Sequence, residues 1–337
     1  MSAINTSPPE IDADNVLAET ESAFSRIKAA RTAIGQVIYG QESVVDRSLI
    51  TILAGGHGLL VGVPGLAKTK LVETLGTVLG LTAQRIQFTP DLMPSDILGS
   101  EVMDQAPDGT RSFRFIQGPI FAQLLMADEI NRASPRTQSA LLQAMQEYHV
   151  TVAGIRHDLP QPFHVLATQN PLEQEGTYPL PEAQLDRFLM QIDVVYPDRD
   201  AERRMLFETT GASEASANTV FDGQTLRAVQ QLVRRMPVGE SVVEAILNLV
   251  RLARPDDGGD PRFANAIAWG PGPRASQALM LACRARALID GRYAPSIDDV
   301  IALAEPVLQH RMALGFAARA DGLTVRGIVA ELKSKIG

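Results

Sequence analysis

Cysteine, aromatic residues and net positive charge are all scarce in this sequence of 337 residues. Its single cysteine, Cys283, excludes an internal disulfide bond and a zinc site made of several cysteines. Acidic residues outnumber basic ones by 39 to 31, so the formal charge is −8 and no overall positive field exists to hold a polyanion. We therefore expect a cytoplasmic protein, and the charge disfavours dedicated non-specific binding of nucleic acid.

Long apolar runs are missing as well. The most apolar stretch, residues 50–63, is interrupted by glycines and is shorter than the roughly 20 residues that cross a bilayer. No basic segment followed by an apolar core opens the chain, so we expect neither a secretory signal nor a membrane span. A composition of 45% hydrophobic and 21% charged residues is typical of a globular protein, and the length predicts about two domains.

The order of hydrophobic patterns predicts an α/β domain followed by a helical one. Residues 58–175 alternate short apolar runs with helical periods, which favours a mostly parallel sheet. After about Pro197 the strand signals vanish and apolar residues recur at a helical spacing. We predict an N-terminal lead and helix at 1–30, an α/β nucleotide-binding core at 31–200 and an all-helical domain at 201–337.

A glycine-rich loop lies between an apolar run and a helical run, the context that a phosphate-binding loop requires. In such a loop, backbone N–H groups and the helix N-terminus surround a polyphosphate. Lys68 would neutralise the phosphates and Thr69 would reach Mg²⁺. The loop consists of Gly62, Val63, Pro64, Gly65, Leu66, Ala67, Lys68 and Thr69.

Ala67 departs from the usual loop pattern, which has glycine at that position. Alanine is harmless there if the backbone is helical, but it strains the loop if φ is positive. The alternative interpretation of the whole segment is a glycine-rich turn that binds nothing. The Lys-Thr pair at a helix start favours the phosphate loop.

Two further apolar runs end in polar residues suited to hydrolysis. Asp128 follows the run at 124–127 and would hold Mg²⁺, while Glu129 next to it would polarise an attacking water. Asn170 follows the run at 163–168 and would orient that water near the γ-phosphate. The alternatives are that the acidic pair caps the next segment and that Asn170 is a turn residue before a proline.

Five segments together resemble the MoxR group of AAA+ ATPases, with a match running from about Val37 to near Met312. They are residues 85–97 (RIQFTPDLMPSDI), 127–133 (ADEINRA), 137–147 (TQSALLQAMQE), 167–171 (ATQNP) and 176–188 (GTYPLPEAQLDRF). The resemblance implies an AAA+ P-loop core, with a parallel sheet flanked by helices, and an all-α lid domain. It also implies a homo-oligomeric ring, typically a hexamer, that binds ATP and Mg²⁺ at each subunit interface.

The resemblance assigns roles to residues outside the loop. Arg187 matches the arginine finger, which reaches the γ-phosphate of the neighbouring subunit and offsets charge during phosphoryl transfer. Arg274 matches the second sensor, which couples the lid to the nucleotide state. Ile38 and Tyr39 lie in the segment that contacts adenine. The sequence by itself favours a surface or ion-paired arginine at Arg187, and Arg274 by itself is an exposed arginine in the first turn of a helix.

The resemblance implies a chaperone-like ATPase that remodels or matures a client protein, together with a von Willebrand factor A domain partner. Two predicted hairpins, at 102–116 with its turn at 107–109 and at 150–155, would face the pore or one ring face. Two alternatives stay open. One is a nucleotide-switched assembly scaffold with negligible turnover, which the intact Asp128 and Glu129 disfavour, and the other is a DNA translocase, which the charge of −8 disfavours.

Overall fold

The computed structural model describes residues 13–105, 111–173, 175–210, 215–256 and 259–336. Within these ranges the strands are β1 (Gly58–Val61), β2 (Ala83–Gln87), β3 (Gly99–Gln105), β4 (Arg111–Gln117), β5 (Leu124–Asp128), β6 (His149–Val152), β7 (Ile155–Asp158), β8 (His164–Gln169), β9 (Met190–Asp193), β10 (Ile267–Trp269) and β11 (Ala313–Leu314). The helices are α1 (Ala13–Gly35), α2 (Glu42–Leu53), α3 (Lys68–Val78), α4 (Pro94–Leu98), α5 (Pro135–Glu147), α6 (Glu182–Leu185), α7 (Arg199–Thr209), α8 (Gly223–Arg235), α9 (Glu240–Leu252), α10 (Pro273–Ile289), α11 (Ile297–Leu308), α12 (Phe316–Ala320) and α13 (Val325–Lys333).

Five strands form the central sheet in the order β2-β5-β8-β1-β9, and every neighbouring pair is parallel. The carboxyl ends of all five strands therefore lie at one edge of the sheet and the amino ends at the opposite edge. This confirms the predicted parallel α/β core. The sequence reading missed β9, a strand of only four residues.

The sheet is buried on both faces, as parallel sheets usually are. Each face of the sheet packs in its own hydrophobic core, and successive residues of β1 belong to different cores. Leu60 packs with residues of α2 and α3, whereas Leu59 packs with residues of α5. All five residues of β5 are buried. Ser134 caps α5 by accepting a hydrogen bond from the Thr137 N–H, and a proline follows at the first helical position.

The C-terminal part is helical, as predicted. Helix α10 packs against α1, α2, α8, α9 and α11, and α11 also packs along β9 at the edge of the central sheet. The prediction of helices alone missed one feature, a short antiparallel pair of β10 and β11. These strands have three and two residues, too few to show an alternating pattern.

Both predicted hairpins are present outside the central sheet. Strands β3 and β4 form the first, and its predicted turn at 107–109 lies outside the described residues. Strands β6 and β7 form the second, where Ala153 and Gly154 have φ of 48° and 82°, the left-handed conformation that a tight hairpin turn requires. The hairpins touch through Phe115 and His157, whose rings stack 3.9 Å apart.

The predicted N-terminal lead falls partly outside the described ranges, which begin at residue 13. Helix α1 packs against α2 and α3 of the core and against α8 and α10 of the helical part. Among the described residues, no helix combines the length and apolar character that crossing a membrane demands.

Candidate active site

The loop at 62–69 connects β1 to α3 at the carboxyl edge of the sheet. Gly62 packs so closely on the next strand that a Cβ would lie 2.6 Å from the carbonyl oxygen of Val194. Gly65 has φ of 84°, a conformation natural to glycine. Lys68 Nζ donates a hydrogen bond of 2.5 Å to the Gly62 carbonyl oxygen, so the lysine folds across the loop. The N-terminus of α3 thus opens on a concave backbone suited to an anion.

Ala67 has a positive φ of 56°, which decides the question that the sequence left open. The left-handed conformation brings an alanine Cβ close to the backbone and costs roughly 1–2 kcal/mol relative to the right-handed one. The loop therefore stores local strain at the residue directly before Lys68. Such strain persists only where the surrounding structure holds the backbone in place.

Asp128 ends the buried strand β5 and lies beside the loop. Its Oδ1 accepts a hydrogen bond of 2.6 Å from Thr168 Oγ1 on β8. Its Oδ2 accepts from Arg85 on β2, at 2.5 Å from Nη2 and 3.2 Å from Nε. The carboxylate is therefore held between its two neighbouring strands. Burial lowers the pKa of Lys68, and the nearby charges of Asp128 and Glu129 oppose that shift.

Glu129 is fixed by hydrogen bonds to both its backbone and its carboxylate. Its φ is 54°, and its N–H donates to Thr168 Oγ1 at 2.8 Å. Its Oε2 accepts from Gln87 Nε2 at 2.7 Å and from Arg132 Nη1 at 3.2 Å. The Thr168 hydroxyl thus joins the two acidic residues, and the Glu129 carboxylate has a defined direction.

Asn170 lies directly after β8, whose last residue, Gln169, pairs with Val61 at the start of the loop. The Asn170 side chain is buried, and its Oδ1 accepts a hydrogen bond of 3.1 Å from the Leu172 N–H. The structure thus places Asn170 at the same edge of the sheet as the loop and the acidic pair.

A cleft of about 450 Å³ adjoins the loop, and loop residues 64–67 form part of its lining. Ile38 and Tyr39 line it together with loop residues 64–67, and their contact with adenine stays a prediction. Tyr196 and Met205, which the sequence analysis did not identify, form part of the opposite wall. The volume is within the range typical of small-ligand sites.

Among the described residues, no cluster of three or more histidine, cysteine or acidic side chains could hold a metal alone. Thr69 in the first turn of α3 and Asp128 at the end of β5 carry oxygen donors at the carboxyl edge of the sheet. Mg²⁺ prefers such oxygens but keeps most of its shell as water and phosphate oxygens. The donor set therefore fits a magnesium ion that arrives with a nucleotide.

Arg187 and Arg274 lie at the other edge of the sheet. Arg187 precedes β9 by three residues, and β9 begins at Met190, level with Gly58 at the amino end of β1. Both arginines border a cavity of about 230 Å³ that Gly56 and His57 also line. Burial, followed by the charge of Arg274, lowers the pKa of Arg187, while the charge of Glu147 opposes the shift.

The length of β1 separates these arginines from the loop of their own chain. Four strand residues at about 3.3 Å each span roughly 13 Å. Arg274 Nη1 lies 3.7 Å from Asp186 Oδ2, whereas Arg187 has no ion pair or side-chain hydrogen bond with any residue of the described ranges. The structure therefore brings together the loop, Asp128, Glu129 and Asn170, and it does not bring Arg187 or Arg274 to them.

Three side chains that support the acidic pair received no role from the sequence: Arg85, Gln87 and Thr168. Their importance depends on which strands are neighbours, because β2 and β8 flank β5 only in the folded sheet. The one signal available was their position at strand ends beside the acidic run. Arg132 also supports the acidic pair, since it pairs with Glu129 of its own chain.

Comparison with known proteins agrees with this geometry. Residues 57–190 match the model of the ATPase family associated with various cellular activities (AAA), and residues 260–332 match that of the AAA lid domain. The class of the protein is thus an AAA ATPase with a helical lid. A crystal structure of a protein assigned as an ATPase from Cytophaga hutchinsonii has a TM-score of 0.88 and 37% identity, covering 96% of this chain and 98% of that one.

Curated relatives narrow the class. Chaperone MoxR1 of Mycobacterium tuberculosis is 42% identical over 292 residues, which are 86% of this chain and 76% of that protein. Protein MoxR of Paracoccus denitrificans is 31% identical and matches 86% of this chain and 89% of its own length. The chain belongs to the MoxR family of AAA+ ATPases, which confirms the resemblance found in the sequence.

Proposed function

We propose that this protein hydrolyses ATP with Mg²⁺ and uses the energy to remodel or mature a client protein complex. The observation that supports hydrolysis most directly is the fixed carboxylate of Glu129 beside the phosphate loop. Two side-chain donors and the shared Thr168 hydroxyl hold it in one direction. A site that only bound nucleotide would have no need of a second, oriented carboxylate next to Asp128.

Each residue has a distinct part in this proposal. Lys68 neutralises the phosphates, and the glycines of the loop let the backbone approach them. Mg²⁺, held through Thr69 and Asp128, would offset charge on the phosphate oxygens when it binds with ATP. Glu129 accepts a proton from the attacking water, and the Asn170 amide nitrogen positions that water. Ile38 and Tyr39 contact the base.

We further propose that the active site is completed by a second copy of the chain. The support is the position of Arg187 and Arg274, which both line a cavity at the edge opposite their own loop. A guanidinium at that edge can contact a bound phosphate only if the phosphate loop of a neighbouring subunit approaches it. Repeating this head-to-tail contact generates a ring, hexameric by family resemblance.

The client and partner proposals rest on the family resemblance and the two hairpins. The β3–β4 hairpin exposes Met103 and Phe113, which pair across its strands, so it presents an apolar surface outside the core. We propose a von Willebrand factor A domain protein as partner and a cytoplasmic location, with the core at 31–200 and the lid at 201–337. The charge of −8 gives no support to a nucleic-acid client.

Two substitutions separate binding from hydrolysis. Lys68→Ala should weaken ATP binding strongly, because the phosphates lose their counter-charge. Glu129→Gln should bind ATP with near wild-type affinity and lower turnover by about 10²–10⁴-fold, the usual contribution of a general base. Calorimetric titration with ATP and a phosphate-release assay measure the two effects. If the wild type releases phosphate no faster than Glu129→Gln, the proposal that the protein hydrolyses ATP is wrong, and the nucleotide-switched scaffold is favoured.

A further inference from the structure

Arg311 is the largest side chain buried to less than 2% exposure in the described part of the chain. It lies in a short 3-10 turn at 309–311, directly after α11, within the residues that match the lid domain. A buried guanidinium is costly unless its donors are all used, because it has lost its hydration. The hydrogen-bond partners of Arg311 therefore indicate which parts of the fold this side chain connects.

Most of those partners belong to one turn, residues 186–189, which matches the core domain instead. Arg311 Nε donates to Asp186 Oδ1 at 2.7 Å, and Nη2 donates to the Phe188 carbonyl oxygen at 2.6 Å. Nη1 donates to the Leu189 carbonyl oxygen at 3.1 Å and to the Val307 carbonyl oxygen of α11 at 2.6 Å. One planar side chain thus fastens the core turn to a lid helix.

The residue enclosed by these contacts is Arg187. Its backbone neighbours on both sides, Asp186 and Phe188, are held by Arg311, while its own side chain reaches the cavity that it shares with Arg274. A guanidinium fork fixes both direction and distance, so these contacts tie the turn that contains Arg187 to the 3-10 turn of the lid.

We propose that Arg311 is a positioning residue for Arg187, so that the lid of one subunit sets where its arginine meets the phosphate of the next. This inference rests on the proposed function, in which Arg187 acts on a neighbouring site. It adds a direction of communication: a change at one subunit's lid is transmitted to its neighbour's hydrolysis rather than to its own.

The chain offers a matched control in Arg326. It is also a lid arginine that binds a carboxylate at β9, since its Nη2 lies 2.7 Å from Asp193 Oδ2. Asp193 ends β9, at the opposite end of the strand from the Arg187 turn. A general loosening of the lid should follow from either substitution, whereas loss of Arg187 placement should follow only from a change at Arg311.

The first test compares Arg311→Lys with Arg326→Lys. Lysine keeps the charge but has one nitrogen, so it cannot span Asp186, Phe188 and Leu189 together. We expect Arg311→Lys to lower kcat at least about tenfold with an ATP Kd within threefold of wild type, because an angstrom of misplacement is costly in phosphoryl transfer. Arg326→Lys should change neither. Equal losses of kcat in both variants would overturn the proposal.

Mixed rings then test the direction of the effect. Glu129→Gln subunits lack their own base but supply an intact Arg187, so they should restore activity when mixed with Arg311→Lys. Arg187→Ala subunits lack the same function as Arg311→Lys, so the rate of that mixture should not exceed the reduced rate of Arg311→Lys alone. Recovery with Arg187→Ala, or no recovery with Glu129→Gln, would overturn the role proposed for Arg311.

A further mixture tests the underlying assignment separately. Arg187→Ala with Glu129→Gln should regain activity if Arg187 acts on the neighbour. If this mixture regains no activity, the proposal of a shared site is wrong, and the role proposed for Arg311 is wrong as well. If Arg311→Lys does not fold, as judged by its circular dichroism and ATP binding, Asp186→Asn removes the same ion pair from the other side. It should give the same pattern, and wild-type kcat in Asp186→Asn would contradict the proposal.

Discussion

At the scale of single residues, two residues of the site have a left-handed backbone conformation that residues other than glycine rarely adopt. Ala67 and Glu129 both have positive φ, and they flank the place where the phosphates would bind. Such strain concentrates at functional sites, where it fixes the direction of neighbouring groups. The strain at Glu129 turns its N–H toward Thr168, which also holds Asp128. The orientation of the two acidic residues therefore depends on Thr168, which carries no charge.

The strain at Ala67 predicts a stabilising substitution. Ala67→Gly removes the left-handed penalty but raises the entropy of the unfolded chain, so we expect a net gain of about 0.5–1 kcal/mol in the free energy of unfolding. Urea denaturation measures it. Ala153→Gly is the matched control, because Ala153 has φ of 48° in the β6–β7 turn and should show a similar gain. A loss of stability in Ala67→Gly would contradict the strained loop.

The bridging hydroxyl predicts a second effect. Thr168→Val keeps the shape of the side chain but removes the donor to Asp128 and the acceptor for the Glu129 N–H. We expect turnover to fall at least about tenfold with little change in ATP affinity, and the free energy of unfolding to fall by about 1–3 kcal/mol because buried polar groups lose their partner. Thr168→Ser should recover most of the turnover. If Thr168→Val turns over at the wild-type rate, the bridge does not orient Glu129.

At the scale of elements, the buried ends of the central strands contain histidines that must stay neutral. His57 Nδ1 accepts from the Val165 N–H at 3.0 Å, and His164 Nδ1 lies 2.9 Å from the Gly56 carbonyl oxygen. Burial lowers the pKa of His57 to about 3 and that of His164 to about 4. These contacts join β1 and β8 at their amino ends, close to the cavity of Arg187.

Neutral buried histidines predict a loss of stability in acid. In the unfolded chain both histidines titrate near 6.5, so below that pH the unfolded chain binds more protons than the folded one. Their contribution is complete above pH 6.5 and declines as the pH falls toward 4. We expect each to remove about 2 kcal/mol from the free energy of unfolding between pH 7.5 and 5. Denaturant titrations at the two pH values measure this, and His164→Gln should reduce the difference. Equal stability at both values would be inconsistent with neutral burial.

The sequence predicted the elements whose signal is local and missed those that depend on neighbours. The loop from Gly62 to Thr69 and the acidic end of β5 follow from residue order and strand context alone. Strand β9 and the β10–β11 pair were missed because a few residues give no period. Arg85 and Arg311 were missed because their partners are 43 and 125 residues away in the chain.

At the scale of the whole molecule, the sheet separates two functional edges. The carboxyl edge has the phosphate loop, the acidic pair and Asn170, and the amino edge has Arg187 and Arg274. One chain cannot bring the two edges together, since β1 alone spans roughly 13 Å. Two chains stacked head to tail can, and this requirement is the physical reason for proposing a ring rather than an independent enzyme.

The most direct test measures phosphate release per subunit over a wide range of protein concentration, with sedimentation recorded at each point. A shared site predicts that activity per subunit rises as subunits assemble, and that Arg187→Ala assembles and binds ATP but stays at the level of Glu129→Gln. A wild-type rate that is unchanged where sedimentation shows only monomers, together with full activity of Arg187→Ala, would contradict it.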